Sequence, residues 1–198
     1  MPSPSLKLAA LAVAIGLACP GARLFAADTY NLDPAHSTVG FAITHMVINT
    51  VHGKFKDFKG SVVLDGTTVQ EAKGTIQTKS IDTGIDRRDN HLRSADFFDV
   101  AQFPTITFET KRVEKKGDET LLTGDFTMHG VTKELVLPVS VKGPIKDPMG
   151  NTRIGLQARA KLNRKDYGLK YNQAMETGGL VLSDEVELEI DAEGVKAK

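Results

Sequence analysis

The sequence predicts an all-β chain, a single eight-stranded antiparallel barrel with one or two short helical segments, spanning residues 28-198. Three observations carry this reading. Apolar and polar residues alternate with period two through most of the chain, which requires strands with one buried and one solvated face. Turn-forming residues separate the alternating runs. Eight antiparallel strands joined by tight turns would leave two unpaired edges in an open sheet, and closure removes them.

Residues 1-27 stand outside this pattern and read as a cleaved signal peptide. Lys7 precedes an unbroken apolar run, Leu8 to Cys19, which Pro20 and Gly21 end. A dozen residues is too short to cross ~30 Å of hydrocarbon as a helix but suits an export signal. Ala26 and Ala27 supply small residues for cleavage, so the mature chain is expected to start near Ala27 or Asp28, without stable membrane insertion. Gly16, three residues before Cys19, and Pro20 directly after it argue against a lipidated cysteine.

The strands then follow in order. Val39, Phe41 and Ile43 alternate with Thr38, Gly40, Ala42 and Thr44 in a first strand at 36-45. A long second segment at 51-65 is expected to bend at Gly53 and Gly60, and a third runs over 71-80. Asp65-Gly66 and Lys116-Gly117-Asp118 mark turns, the second between strands at 105-114 and 119-128. After His129-Gly130 a strand at 131-143 places Leu135, Leu137, Val139 and Val141 on one face, while Pro138, which cannot donate to a ladder, predicts an edge or bulge. Asp147 to Asn151 turns the chain into 152-161, with Ile154, Leu156, Ala158 and Ala160 on its apolar face. The last strand, 184-194, sets Val186, Leu188 and Ile190 against Glu185, Glu187, Glu189 and Asp191. Two stretches lack alternation. Asp86 to Val100 suits a short helix, with Ser94 as a cap and an end near Phe97-Phe98, and Asn163 to Gly179 offers another helical turn.

Composition narrows the function classes. The chain carries 25 basic and 25 acidic residues, and loss of Lys7 and Arg23 with the leader leaves 23 against 25, so nothing points to nucleic acid. Its one cysteine lies in the leader, so the mature chain forms no intramolecular disulfide and must rest on burial and hydrogen bonds. His36, His45, His52, His91 and His129 lack the close spacing of a zinc site, and no metal is expected. No nucleophile elbow, phosphate-binding glycine loop, dinucleotide fingerprint or zinc-protease helix is present. No catalytic residue is therefore assigned; for an enzyme, Asp89 and His91 would be tested first.

Several ordered motifs carry a resemblance. Ser80-Ile81-Asp82-Thr83, Arg87 to Ser94, Asp96 to Val100 and Phe103-Pro104 form the densest stretch. Asp33 to Ser37, Gly53-Lys54-Phe55, Phe58-Lys59-Gly60, Gly124 to Lys133 and Asn163 to Gly168 extend it over nearly all of the mature chain. The sequence resembles the YceI-like family. That resemblance implies a lipocalin-like barrel, a periplasmic location, no required cofactor, and an elongated cavity holding an isoprenoid, an isoprenoid quinone or another long-tailed amphiphile, for carriage or storage. The rival expectation is an exported structural or stress-related barrel with a protein partner. Homodimerisation stays open.

Under the carrier expectation, the inward positions Phe41, Ile43, Phe55, Ile106, Phe108, Leu122, Phe126, Leu156 and Leu188 are candidates for cavity lining, with ordinary core packing as the alternative for each. His45 shares the inward parity of Phe41 and Ile43 near a strand end, where an imidazole suits a guest's oxygen or a structural hydrogen bond. Arg87, Arg88 and His91 suit an anionic head group or a hydrogen-bonded loop. Phe97 and Phe98 are candidates for a lid over one end or for a plug that touches no guest.

Overall fold

The computed structural model describes residues 27–176 and 178–198. The strands are β1 (Asp28–Leu32), β2 (Thr38–His45), β3 (Asn49–Phe55), β4 (Phe58–Asp65), β5 (Thr68–Gln77), β6 (Ile81–Asp82), β7 (Thr105–Lys116), β8 (Glu119–Met128), β9 (Val131–Lys146), β10 (Thr152–Asn163) and β11 (Leu182–Lys196), with one α-helix, α1 (Asp86–Arg93), between β6 and β7. All pair antiparallel in the order β1-β4-β5-β7-β8-β9-β10-β11, and β1 pairs back onto β11 to close an eight-stranded ring. β2, β3 and β6 continue the sheet beyond β11.

Those outer strands are prolongations of ring strands. β1 and β2 both run along β11, with Leu32 opposite Gly194 and Val39 opposite Ile190. β4 and β3 likewise pair with β1 and β2, and β5 and β6 with β4 and β3. The eight expected strands are thus present, three of them interrupted by short turns. At Asp33–Ser37 a 3-10 turn makes the interruption: Asp33 accepts from the Ala35 amide, and Pro34 presets the backbone.

Four sequence readings need correction. The expected first strand, 36-45, misses β1, whose five residues are too few to establish a period. The segment 51-65 breaks at Lys56-Asp57, not at its glycines. Gly53 and Gly60 are needed inside paired strands for space, since a β-carbon at Gly53 would run into the Phe41 ring and one at Gly60 would press on the Lys73 carbonyl and Leu32. Ser94 does not start the helix; it follows the last turn, and its Oγ donates to the His91 carbonyl at 2.7 Å. The helix ends at Arg93, ahead of Phe97-Phe98.

Pro138 behaves as its missing N–H requires. β9 pairs with β10 only from Val139 onward, so the proline sits where that ladder stops. Beyond it the wall parts, and a 3-10 turn at Arg164–Tyr167 packs Tyr167 edge-on against Phe126, rings 5.5 Å apart.

Two apolar groups fill the interior. At the lower end Tyr30, Leu64, Val69 and Ile154 are almost fully buried and close the barrel. At the upper end, where β2 finishes and β11 begins, Phe55, Phe97, Phe98, Tyr167 and Leu169 cluster under α1 and the segment after β10.

Candidate functional site

A cavity of about 530 Å³ lies between and within these groups. Strand parity decides its walls. On β2, Phe41 and Ile43 face Leu188 and Val186 of β11 in register, and the pairing of Phe108 with Phe126 sets two rings side by side on β7 and β8. All nine expected apolar wall positions, Phe41, Ile43, Phe55, Ile106, Phe108, Leu122, Phe126, Leu156 and Leu188, line this space together with His45. Aromatic contacts run across it from Phe41 to Phe55 (6.0 Å) and from Phe55 to Phe98 (5.9 Å, edge-on).

His45 is half-buried at the upper end of β2, opposite Leu182. Asn49 and Gln173 line the same end and are exposed to solvent, so the cavity opens there. Phe97, Phe98, Arg88 and His91 also line the space, which places four of the five residues expected at a lid or head group. Arg87 is not among them. It lies exposed on α1, beside a separate shallow depression bordered by Ile85, Arg88 and His91.

Local bonds explain the charged motif around α1. Arg88 donates from Nε to Thr83 Oγ1 (2.7 Å) and from Nη2 to the Thr83 carbonyl (2.8 Å), while buried Asp89 accepts from the Thr83 amide (2.9 Å). Arg93 donates to the carbonyls of Lys79 and Ile81 at 2.8 and 2.7 Å. His91 pairs with Asp96 at 2.8 Å and stands edge-on to Phe97 and Tyr171. The run therefore fixes a non-repetitive loop over the mouth. Asp89 and His91, the residues first considered for catalysis, both take part in this scaffold.

Arg164 escaped the sequence reading. Its side chain is 3% exposed, and it lines the upper cavity. Nε donates to the Ser183 carbonyl (2.9 Å), and Nη1 to those of Leu169 and Tyr171. Nη2 lies 3.7 Å from Asp184 Oδ1, too long for a hydrogen bond, and neither atom has another partner among the described residues. Burial pulls the guanidinium below its ordinary pKa, against the opposing field of Asp184. Arg164 thus ties together the chain segments that form the upper rim.

The cluster nearest to a metal site, Asp33, His36 and Glu193, lies at the opposite end of β2. Arg153 already bonds Asp33 (2.8 Å), Glu193 (3.0 Å) and Asp147 (2.8 Å), so a guanidinium occupies these carboxylates and offsets part of their charge. Arg153, then His36 and the Ala35 amide, hold the Asp33 carboxyl down at about 2.

Residues 30–194 match the model of the YceI-like domain. The chain belongs to the YceI-like family. Protein YceI of Salmonella newport is 39% identical over 176 residues, 87% of this chain and 89% of that protein. Among solved structures, BcnA of Burkholderia cenocepacia superposes with a TM-score of 0.71 at 22% identity, covering 82% of this chain and 98% of its own. A polyisoprenoid binding domain from Saccharophagus degradans superposes with a TM-score of 0.64 at 20% identity, covering 85% and 98%. At those identities the two structures share the fold. The YceI-like motif Asn163 to Gly168 supplies Arg164 at the rim and Tyr167 against Phe126, while the motif at Asp33 supplies the bend between β1 and β2.

Proposed function

We propose that this YceI-like barrel carries or stores one long apolar molecule, an isoprenoid, an isoprenoid quinone or a similar amphiphile, in the periplasm after loss of residues 1-27. The leader lies outside the described residues, and its export role rests on the apolar run from Leu8 to Cys19. The carrying observation is the apolar cavity. Its volume of about 530 Å³ falls in the ~300–1,000 Å³ range of ligand sites.

At ~30 Å³ per heavy atom, the share of a liquid water, that space takes about 18 carbons of chain. Burying them contributes ~14 kcal/mol gross at ~0.8 kcal/mol per methylene, against the ~8 kcal/mol of micromolar affinity. Several kcal/mol of association cost still leave binding in range. A head-group hydrogen bond nets only ~1 kcal/mol, so the tail sets affinity, and His45 at the upper end is assigned to orientation. A longer guest extends through the open end. The polyisoprenoid binding domain of S. degradans, alike in fold, supports the class of guest.

Native mass spectrometry of protein purified from the periplasmic fraction tests this. A chain lacking residues 1-27 with a co-purifying lipid is expected. A barrel that stays empty after incubation with a long-chain isoprenoid alcohol would refute the carrier role, and an intact leader would refute the export role.

A further inference from the structure

The turn between β2 and β3 presents apolar side chains to water at the mouth of the cavity. Val47 is 74% and Ile48 87% exposed, with Met46 also exposed beside them. Their immediate neighbours, His45 and Asn49, line the cavity, so the tip continues its rim. The turn is also costly to the backbone: Met46 has φ 51° and Val47 φ 66°, the left-handed region that a β-branched residue rarely enters. Neither core packing nor solubility explains valine and isoleucine here.

The start of α1, the helix whose Arg88 and His91 line the cavity, has an amphipathic character of its own. Ile85 is exposed at the start of α1, and exposed Arg87 borders the same shallow depression. Apolar groups beside cations are what a phospholipid surface accepts, with side chains in the acyl boundary and guanidinium at phosphate.

We propose that this rim docks on a phospholipid bilayer, with Met46, Val47 and Ile48 entering its surface and Arg87 meeting lipid phosphates, so that a guest passes between membrane and barrel without crossing water. The proposal rests on the carrier reading for its purpose, but docking itself is measurable without a guest.

The chain contains no tryptophan, so Ile48→Trp introduces a single reporter. With guest-free vesicles of equal parts phosphatidylcholine and phosphatidylglycerol, its emission should shift to the blue and be quenched by lipids brominated in their acyl chains. An unshifted, unquenched emission would overturn the docking, whatever the barrel carries. The double variant Val47→Asn, Ile48→Ser removes the apolar tip while placing at 47 a residue that accepts positive φ, so folding is preserved. It should bind these vesicles at least about tenfold more weakly, the loss expected from one buried aliphatic side chain or more. Arg87→Glu should weaken binding to these anionic vesicles more than binding to pure phosphatidylcholine, whose choline offsets its phosphate, and unchanged binding to both would overturn the Arg87 contact. Delivery of a fluorescent polyene fatty acid separates the two readings: the double variant should take it up normally from dilute solution but slowly from vesicles. Equal uptake rates from vesicles by wild type and double variant overturn docking as the loading route, whereas failure of wild type to bind the probe from solution overturns the carrier reading.

Discussion

Filling the cavity from its wall gives the sharpest test of what the space is for. Ala158 lies on β10 between Val139 of β9 and Ile190 of β11, buried and facing the cavity. Ala158→Phe adds six ring carbons to a space that takes about 18 heavy atoms at ~30 Å³ each. A guest that fills the wild-type cavity therefore loses room for about six methylenes, or ~5 kcal/mol at ~0.8 kcal/mol apiece, and its affinity should fall by about three orders of magnitude. Guests of about 12 carbons still fit by the same volume estimate and should bind as before.

The assay is displacement of a fluorescent fatty acid by straight-chain alcohols of graded length. Wild type should gain affinity with each added carbon up to about 18, and the variant should stop gaining about six carbons earlier. Overpacking costs ~1–3 kcal/mol, or roughly 2–4 °C per kcal/mol in melting temperature for a domain of this size, so the variant remains folded where binding is measured. An unchanged length profile in a folded variant would mean that the guest does not occupy this space. A charge at the wall cannot make that distinction cleanly, because it damages an ordinary core and a cavity alike.

Three further outcomes are expected. His45→Ala should weaken a long-chain alcohol by about five- to tenfold, the loss of ~1 kcal/mol, and leave a hydrocarbon of equal length unchanged in the same displacement assay; equal effects on both would reject the head-group role. Arg164→Ala orphans the carbonyls of Leu169, Tyr171 and Ser183, so a loss of about 3 kcal/mol or more is expected, read as a melting temperature lower by roughly 10 °C; an unchanged melt would show that the rim does not depend on this tie. Arg153→Met removes the partner that holds Asp33 at about 2. Because the folded carboxyl titrates below its ordinary value, that stability is present above about pH 4 and disappears as pH falls through about 2. The gap in melting temperature between wild type and variant should narrow over that window, without closing because Arg153 also holds the Asp147 carboxyl, which is lowered further, and a constant gap would refute the linkage.

What was legible in the sequence follows from what the backbone fixes. In a strand the side-chain period is two, so the face of each residue in β2, β10 and β11 can be read from alternation alone. That is why the inward set from Phe41 to Leu188 lines the cavity together. The β2–β3 turn gave no signal, since Met46 and Val47 adopt positive φ without glycine or asparagine. The division of labour between Arg87 and Arg88 was equally hidden, because it depends on where α1 begins, and Ile85 provides no side-chain cap there. Arg164 falls in the motif from Asn163 to Gly168, but its role could not be read there, because its hydrogen-bond partners are main-chain carbonyls, which every residue possesses.

The legible and illegible parts divide along function. Alternation identifies the walls, and under the carrier reading the walls determine affinity through burial of the tail. Direction is decided outside the alternation, by Tyr30, Leu64 and Val69 plugging the lower end and by the rim at the upper one. Tyr30 and Leu64 could not be assigned to a plug from sequence because depth along a barrel depends on register between strands, here β1 against β4 and β11. Under the carrier reading, a tail that enters from the open upper end has its head beside His45 and the solvent-exposed Asn49 and Gln173, which line the cavity there. Head groups there remain partly hydrated, so changing the head should alter affinity far less than changing the length of the tail.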